Sequence, residues 1–523
     1  MSEKKEISKA TGIMGIATSL SRVTGLVRDM LVASIFGAGF ASDAFFMAFT
    51  IPNLLRRFFA EGSLTAAFVP TFADVYHRQG QEEARRMVNI CWTLLLIVMA
   101  VVTLSGILAS PLVVRAIGYG FGEVPGKLEL TDFLNRLMFP YIFLVSLLAL
   151  LTGVLNVLGH YFLPALSTVM LNLAMILCAL LLGDIFAVPI TSLAIGVLIG
   201  GVLQLVMQFP ILLRKGIRLR LDFSFRHPAV VRVARLMLPG LAGVAIYQIN
   251  MVVSRLLSSF LPEGSVSYLY YAQRLFEFPQ GIFVVSLATA VLPAMSRQVS
   301  AGDTSGLKES LRFSLILIVL VTVPAAVGLT LCAVPVFSLF FMSGAFDFTA
   351  VTQTAYALAA YAPGLLFVGV SRVVVPTFYA MQDTRTPVWV AFWTLLVNAL
   401  LGLLLMGPWG HTGLALALTL SSVFNAGAVV WALRKKIGPL GLGSVIRALG
   451  KISLPVLAMA AVVFWVLGWC DWSLPGDRLY KGAILAGGLG LGMGIYALGC
   501  YLARVEEMTA LVSLARKRLF RKR

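Results

Sequence analysis

A chain of 523 residues that is 59% hydrophobic and only 12% charged is not a water-soluble domain, which carries about a quarter charged residues. Its apolar residues fall in continuous runs of roughly 18 to 28, the length that crosses a hydrocarbon layer as a helix; the period-two pattern of an outer-membrane barrel is missing. The net charge of +18 belongs to membrane topology and not to nucleic-acid binding, because no aromatic-interleaved basic face accompanies it.

In chain order, Met1 to Lys9 is short and charged, and the apolar stretch after it contains Arg22 and Arg28. It lacks a clean apolar core followed by a small-residue cleavage site, so an uncleaved first helix is expected. Fourteen transmembrane helices are predicted, over residues 12–36, 42–60, 88–117, 133–158, 163–182, 187–213, 233–260, 268–295, 311–336, 351–380, 388–406, 412–433, 452–469 and 482–502. An even count places both termini on one side. Of the 41 basic residues, 29 fall in the tails and in alternate connections on that side, the richest running from Arg214 to Arg235. Five fall on the other side: Arg115, Lys127, Arg136, Arg478 and Lys481. The excess of positive charge in cytoplasmic loops then puts both termini in the cytoplasm of a multi-pass inner-membrane protein, with the basic tail 504–523 lying on anionic lipid of the phospholipid bilayer.

The connections are too short to house a soluble active site, and no phosphate-binding loop of the GxxxxGK[ST] type is present. The five cysteines are scattered and the four histidines show no ligand spacing, so neither a disulfide framework nor a metal centre is expected. The chain is therefore read as a transporter, not an enzyme, and as a monomer without a cofactor. The coupling ion is left open between sodium and chloride.

Prolines disclose a duplication. Pro70, Pro140 and Pro164 recur 223 residues later as Pro293, Pro363 and Pro387; with a small insertion Pro52 matches Pro279 and Arg28 matches Arg255. The offset carries the first helix onto the seventh, an even step, so the two copies have the same orientation and form a parallel repeat. The expected organisation is a six-helix lobe at 1–215, a second at 216–437, two further helices within 438–503 and the tail at 504–523. Transporters built this way bind substrate between halves and alternate access.

The remaining seven basic residues lie inside the predicted spans, and all are arginine: Arg22, Arg28, Arg56, Arg57, Arg255, Arg274 and Arg372. One arginine at the bilayer centre costs roughly 2.5–3.5 kcal/mol on insertion scales, so a set of them demands a watery cavity. The guanidinium fork matches phosphate and carboxylate oxygens and keeps its proton, which points to an anionic cargo. Embedded acids are few, namely Asp29, Asp43, Glu61 and Glu277. Arg57 and Glu61 at i,i+4, and Arg274 and Glu277 at i,i+3, can pair on a helix face. The competing readings stay open: Arg56, Arg57 and Glu61 snorkel from a helix end, Arg274 and Glu277 form a structural pair, and Arg255 sits near a helix terminus. Arg22, Gly25 and Asp29 share one face of the first helix, with Arg28 about 120° away, and Gly25 would permit a bend that brings them together.

At these residues the sequence resembles the MurJ (MviN) family, the lipid II flippases of the multidrug/oligosaccharidyl-lipid/polysaccharide exporter superfamily. The matching text is SRVTGLVRD at 21–29, FGAGFASDAFF at 36–46, IPNLLRRFFAEGSLTAAFVP at 51–70, GGVLQLVMQ at 200–208 and GSVSYLYYAQRLFEFPQGIF at 264–283. The resemblance implies a central cavity between two lobes and, as cargo, lipid II, an undecaprenyl pyrophosphate carrying a disaccharide-pentapeptide. It implicates Ser21, Arg22, Gly25, Arg28, Asp43, Arg56, Glu61 and Arg274, with Arg28, Arg56 and Arg274 as the binders of the pyrophosphate. Some members use a sodium site among the later helices; Asn398 and Asn425 stand there without an acidic ligand set. The alternatives are a cation-coupled multidrug exporter, which needs dominant cavity carboxylates, and a flippase for another polyprenyl-linked glycan.

Overall fold

The computed structural model describes residues 2–57 and 64–505. Glu61 and the tail beyond 505 lie outside the described residues. Those described are helical apart from the connections, with no sheet among them. They form two compact units, divided at 267/268.

The first unit holds α1 (Ser2–Phe36), α2 (Phe40–Arg56), α3 (Leu64–Arg78), α4 (Gln81–Ile117), α5 (Lys127–Met138), α6 (Tyr141–Val157), α7 (Phe162–Leu182), α8 (Thr191–Val206), α9 (Phe209–Arg214) and α10 (Pro228–Ser259). It also holds the first turn of α11 (Ser265–Pro279). The second unit holds the rest of α11, then α12 (Val285–Ser300), α13 (Thr304–Leu331), α14 (Ala333–Phe340), α15 (Phe348–Tyr361), α16 (Gly364–Ala380), α17 (Arg385–Ile437), α18 (Leu442–Leu467) and α19 (Arg478–Leu502). Among the described residues, nine helical stretches, some of them joined pairs such as α5 with α6 and α11 with α12, are long and apolar enough to cross a membrane, or ten if α15 and α16, bent by 42°, count as one. α1, α2 and α10 fall outside that set, and α17 counts once although it holds both spans expected there.

Several boundaries depart from expectation, each for a local reason. α17 is two helices in one run: Gly410, at φ 54 and ψ −134 just after Pro408, turns the chain back so that a Cβ at Gly413 would run into the Leu405 carbonyl oxygen and Asn425 Nδ2 reaches Thr394 Oγ1 at 2.9 Å, and the expected spans 388–406 and 412–433 pack on one another. The expected span 268–295 is α11 and α12 joined by a π-turn at Gln280–Val284, directly after Pro279, whose ring has no N–H to offer the α-helical ladder. α3 occupies a stretch expected to be a connection; Leu64, Phe68, Thr71, Phe72 and Val75 recur at helical spacing and are buried. α1 runs as one helix from Ser2 to Phe36.

Glycines set the closest helix contacts. In the first unit α7 packs along α8. A Cβ at Gly196 would stand 2.8 Å from the Met175 Cα, and one at Gly200 2.7 Å from the Leu171 Cδ1 and 3.0 Å from its Cα. This GxxxG face lets two backbones approach where lipid supplies no hydrophobic drive between helices. In the second unit α18 packs on α19 by the same device: a Cβ at Gly492 would lie 2.5 Å from the Val463 Cγ2, and one at Gly499 2.9 Å from the Pro455 Cβ. Both helices join α13 in one apolar cluster that includes Ile316, Leu320, Ile452, Val463 and Cys500. The Tyr496 hydroxyl donates to the Leu320 carbonyl at 2.7 Å.

Candidate functional site

Arg28 is buried between α1 and α7, 6% exposed, with Asp29 beside it at 4%. Its Nε and Nη2 donate to Asp29 Oδ1 at 3.0 and 2.6 Å, and its Nη1 donates to Asn172 Oδ1 at 2.9 Å. The Met175 sulfur lies 3.8 Å from Nη1. Asn172 is held in turn: its Nδ2 donates to the Ser21 carbonyl and to Thr24 Oγ1, each at 3.2 Å. The guanidinium thus has its charge balanced by the next residue in the chain and its plane set by an amide 144 residues away. Gly25 faces the same amide, with room for a Cβ at 3.5 Å from Asn172 Nδ2, an ordinary contact. Ser21 therefore contributes a backbone carbonyl, and Arg22 lies half-buried one residue on.

Asp43 forms a second polar centre in the same unit. Its carboxylate is 1% exposed and accepts four hydrogen bonds: from Lys127 Nζ at 3.0 Å and the Gly264 amide at 2.8 Å on Oδ2, and from the Ser267 amide at 3.0 Å and the Ser267 hydroxyl at 2.7 Å on Oδ1. The two amides belong to the start of α11, whose first N–H groups have no intrahelical acceptor; a carboxylate from α2 caps that end and meets its positive dipole. Lys127, also 1% exposed, lies 4.4 Å from the Phe121 ring centroid and 5.9 Å from that of Phe40. This residue was assigned to an external connection by sequence; the structure buries it as the counter-ion of Asp43.

The other predicted site residues are more dispersed. Arg56 ends α2 with its Nε on Asn53 Oδ1 at 3.0 Å, and Arg57 is half-buried just beyond. Glu61, the expected partner of Arg57, lies outside the described residues. Arg255 on α10 is buried, with Nη1 3.4 Å from the Val266 carbonyl. In the second unit, Arg274 lies over the Tyr270 ring at 5.1 Å, donates to the Tyr270 hydroxyl at 3.1 Å and stands 3.6 Å from Glu277 Oε2. The expected i,i+3 pair is therefore present, and both side chains stay about two-fifths exposed, at 38% and 39%. Arg372 on α16 is exposed. Farther along, Asn425 Nδ2 donates to Thr394 Oγ1 at 2.9 Å and the Ser421 hydroxyl is 3.5 Å from Asn398 Oδ1. Among the described residues no three His, Cys, Asp or Glu are placed to hold a metal ion.

Lys127 and Asn172 were not singled out by the sequence reading. Asn172 carried a signal, since it is the single amide in a largely apolar helix, and a polar side chain inside a membrane helix looks for a partner. Lys127 carried none, because a lysine at a helix start looks like any loop charge until the packing of α2 on α5 is known.

Two helical units in one multi-pass chain, with paired polar side chains buried among their helices, have the build of a membrane transporter. The chain belongs to the lipid II flippase MurJ family, whose model matches residues 32–475. It is 34% identical over 508 residues to the "Probable lipid II flippase MurJ" of Vibrio cholerae, spanning 94% of this chain and 95% of the relative. To the "Lipid II flippase MurJ" of Burkholderia cenocepacia it is 35% identical, spanning 87% and 89%. Among solved structures it is similar to "Lipid II flippase MurJ, inward closed conformation", with TM-score 0.77, 27% identity and coverage of 94% of this chain and 98% of that one. A multidrug resistance MATE family transporter of the MOP superfamily in its inward-facing conformation shares the fold at TM-score 0.68 and 15% identity, covering 80% and 95%.

Proposed function

We propose that this protein flips lipid II from the cytoplasmic to the periplasmic leaflet of the bacterial inner membrane by alternating access, with its embedded arginines binding the pyrophosphate headgroup. The observation that carries the reading is the family match along residues 32–475, joined by relatives of that name over nearly the whole chain. The side-chain chemistry supports it. Arg22, Arg28 and Arg56 stand on the first two helices of one unit and Arg274 on α11 in the other, and guanidinium suits pyrophosphate oxygens better than it suits a cationic drug. That preference argues against the cation-coupled multidrug exporter.

The full reading includes fourteen membrane crossings, cytoplasmic termini and a monomer. It needs no hydrolysis: moving negative charge outward across a cytoplasm-negative membrane is downhill by about 2.3 kcal/mol per charge per 100 mV. A sodium or chloride ion is the candidate for resetting the carrier. The test is depletion in cells with no second flippase, scoring lipid II in each leaflet, followed by rescue with variants. Arg274→Ala is expected to insert normally and to leave lipid II on the cytoplasmic side, with Arg274→Lys recovering part of the transport. Normal periplasmic lipid II after depletion would remove the substrate, and full activity of Arg274→Ala would remove this arginine from the headgroup site.

A further inference from the structure

Between α9 and α10 the chain reads IRLRLDFSFR at 217–226, a strict alternation of five apolar and five polar residues. In a soluble protein this pattern marks a half-buried strand. Among the described residues no strand pairs with it. Gly216, at φ +74, closes α9 with the Ile217 amide on the Leu212 carbonyl at 2.9 Å, and residues 217–224 then run without helix or turn. The Arg220 amide donates to Asn89 Oδ1 at 3.1 Å and the Asp222 amide to Thr93 Oγ1 at 2.9 Å. Four residues of helix rise about 6 Å and two residues of extended chain about 6.6 Å, so the segment is strapped, extended, along α4. Arg86 stands 3.7 Å from Asp222, and the Ser224 amide and hydroxyl hold the Asp222 carboxyl below the usual carboxylate range. At the far end His227 caps α10 by accepting from the Ala229 amide at 3.3 Å and meets Glu83 at 2.7 Å.

The alternation sorts the side chains. Ile217 is buried, but Leu221 and Phe223 stand out at 64% and 63% exposure, with the Phe225 ring 6.0 Å from that of Phe223. Arg218, Arg220 and Arg226 are exposed on the polar side and make no ion pair among the described residues. The strap begins three residues beyond Thr191–Arg214, a stretch long and apolar enough to cross a membrane, and a segment that leaves a span so soon is expected at the level of the lipid headgroups. An exposed Leu–Phe pair backed by unpaired arginines, at that depth, matches the acyl boundary and the phosphates of an anionic leaflet.

We propose that residues 217–226 are an interfacial anchor, laying Leu221 and Phe223 into the boundary of an anionic leaflet and setting Arg218, Arg220 and Arg226 on its phosphates. The inference rests on the chain being a multi-pass membrane protein and does not depend on the cargo. Four of the five cysteines are buried, so Cys470→Ser supplies a background for spin labelling of the full chain. Labels are placed one at a time through Arg218→Cys, Arg220→Cys, Leu221→Cys and Phe223→Cys, and the protein is reconstituted in phosphatidylcholine vesicles with and without one-third phosphatidylglycerol. In anionic vesicles the ratio of oxygen to nickel-chelate collisions is expected to be several-fold higher at 221 and 223 than at 218 and 220. Replacing the arginines in the Phe223→Cys protein by Arg218→Gln, Arg220→Gln and Arg226→Gln should lower that ratio at least twofold in anionic vesicles and leave it unchanged in phosphatidylcholine. Nickel access at all four positions would overturn the anchor in favour of a solvated loop. Shielding of all four from both reagents would overturn it in favour of a protein partner or a second copy of the chain.

Discussion

Replacing Lys127 by methionine keeps the apolar stem beside Phe121 and Phe40 and removes the charge that faces Asp43. With both residues at 1% exposure, water does not replace the lost partner. Removing one member of a buried pair costs about 3–5 kcal/mol. Three donors, the Gly264 and Ser267 amides and the Ser267 hydroxyl, stay on the carboxylate, which places Lys127→Met near about 3 kcal/mol, a roughly hundredfold loss in the folded-to-unfolded ratio. Adding Asp43→Asn removes the stranded charge while keeping one carbonyl oxygen for those donors. The double variant is expected to regain about 1 kcal/mol or more of the summed single losses, the non-additivity of residues in contact. The assay is thermal unfolding of the detergent-solubilised protein at one fixed scan rate, comparing wild type, both single variants and the double. Wild-type stability in Lys127→Met, or simple addition of the two losses, would refute the buried pair as the clamp between α2, α5 and the start of α11.

The glycine faces make a second prediction: Gly196→Leu and Gly492→Leu each force backbone or packed side chains apart and should lower the unfolding temperature by an amount equivalent to about 1–3 kcal/mol. Gly427→Ala on α17, with nothing within 4 Å of the new Cβ, should leave it unchanged or raise it. Asn172→Asp gives Arg28 a second carboxylate and costs the donation to the Ser21 carbonyl; a lipid II translocation assay should show at least a tenfold loss with normal insertion, and unchanged transport would take Arg28 out of the headgroup role. Asp383, in the turn before α17, has a carboxyl that burial pushes up but that hydrogen bonds from Lys436 and Thr386 hold well below the usual range. A depressed folded-state value stabilises above the unfolded value of about 3.9 and is lost as pH falls below it, so the stability gap between wild type and Asp383→Asn should persist from pH 7 to 5 and shrink below about pH 4.

Much of this was legible in the residues themselves. Runs such as 163–182 and 452–469 must cross a membrane as helices because the hydrocarbon offers their backbones no other hydrogen-bond partner, and the family text at 264–283 is long enough to carry kinship by itself. The Arg274–Glu277 pair was legible because both residues sit on one helix, where three positions apart means neighbouring side chains. What the chain's order could not disclose is contact between distant segments. That Arg28 lies against Asn172, that Lys127 is buried against Asp43, and that Asp43 caps a helix beginning some 220 residues later are outcomes of which helix packs on which. The alternation at 217–226 lies between the two cases: its pattern is plain in one dimension, but only the tertiary structure shows it strapped to α4, because a strand-like segment is defined by the neighbour that takes its amides.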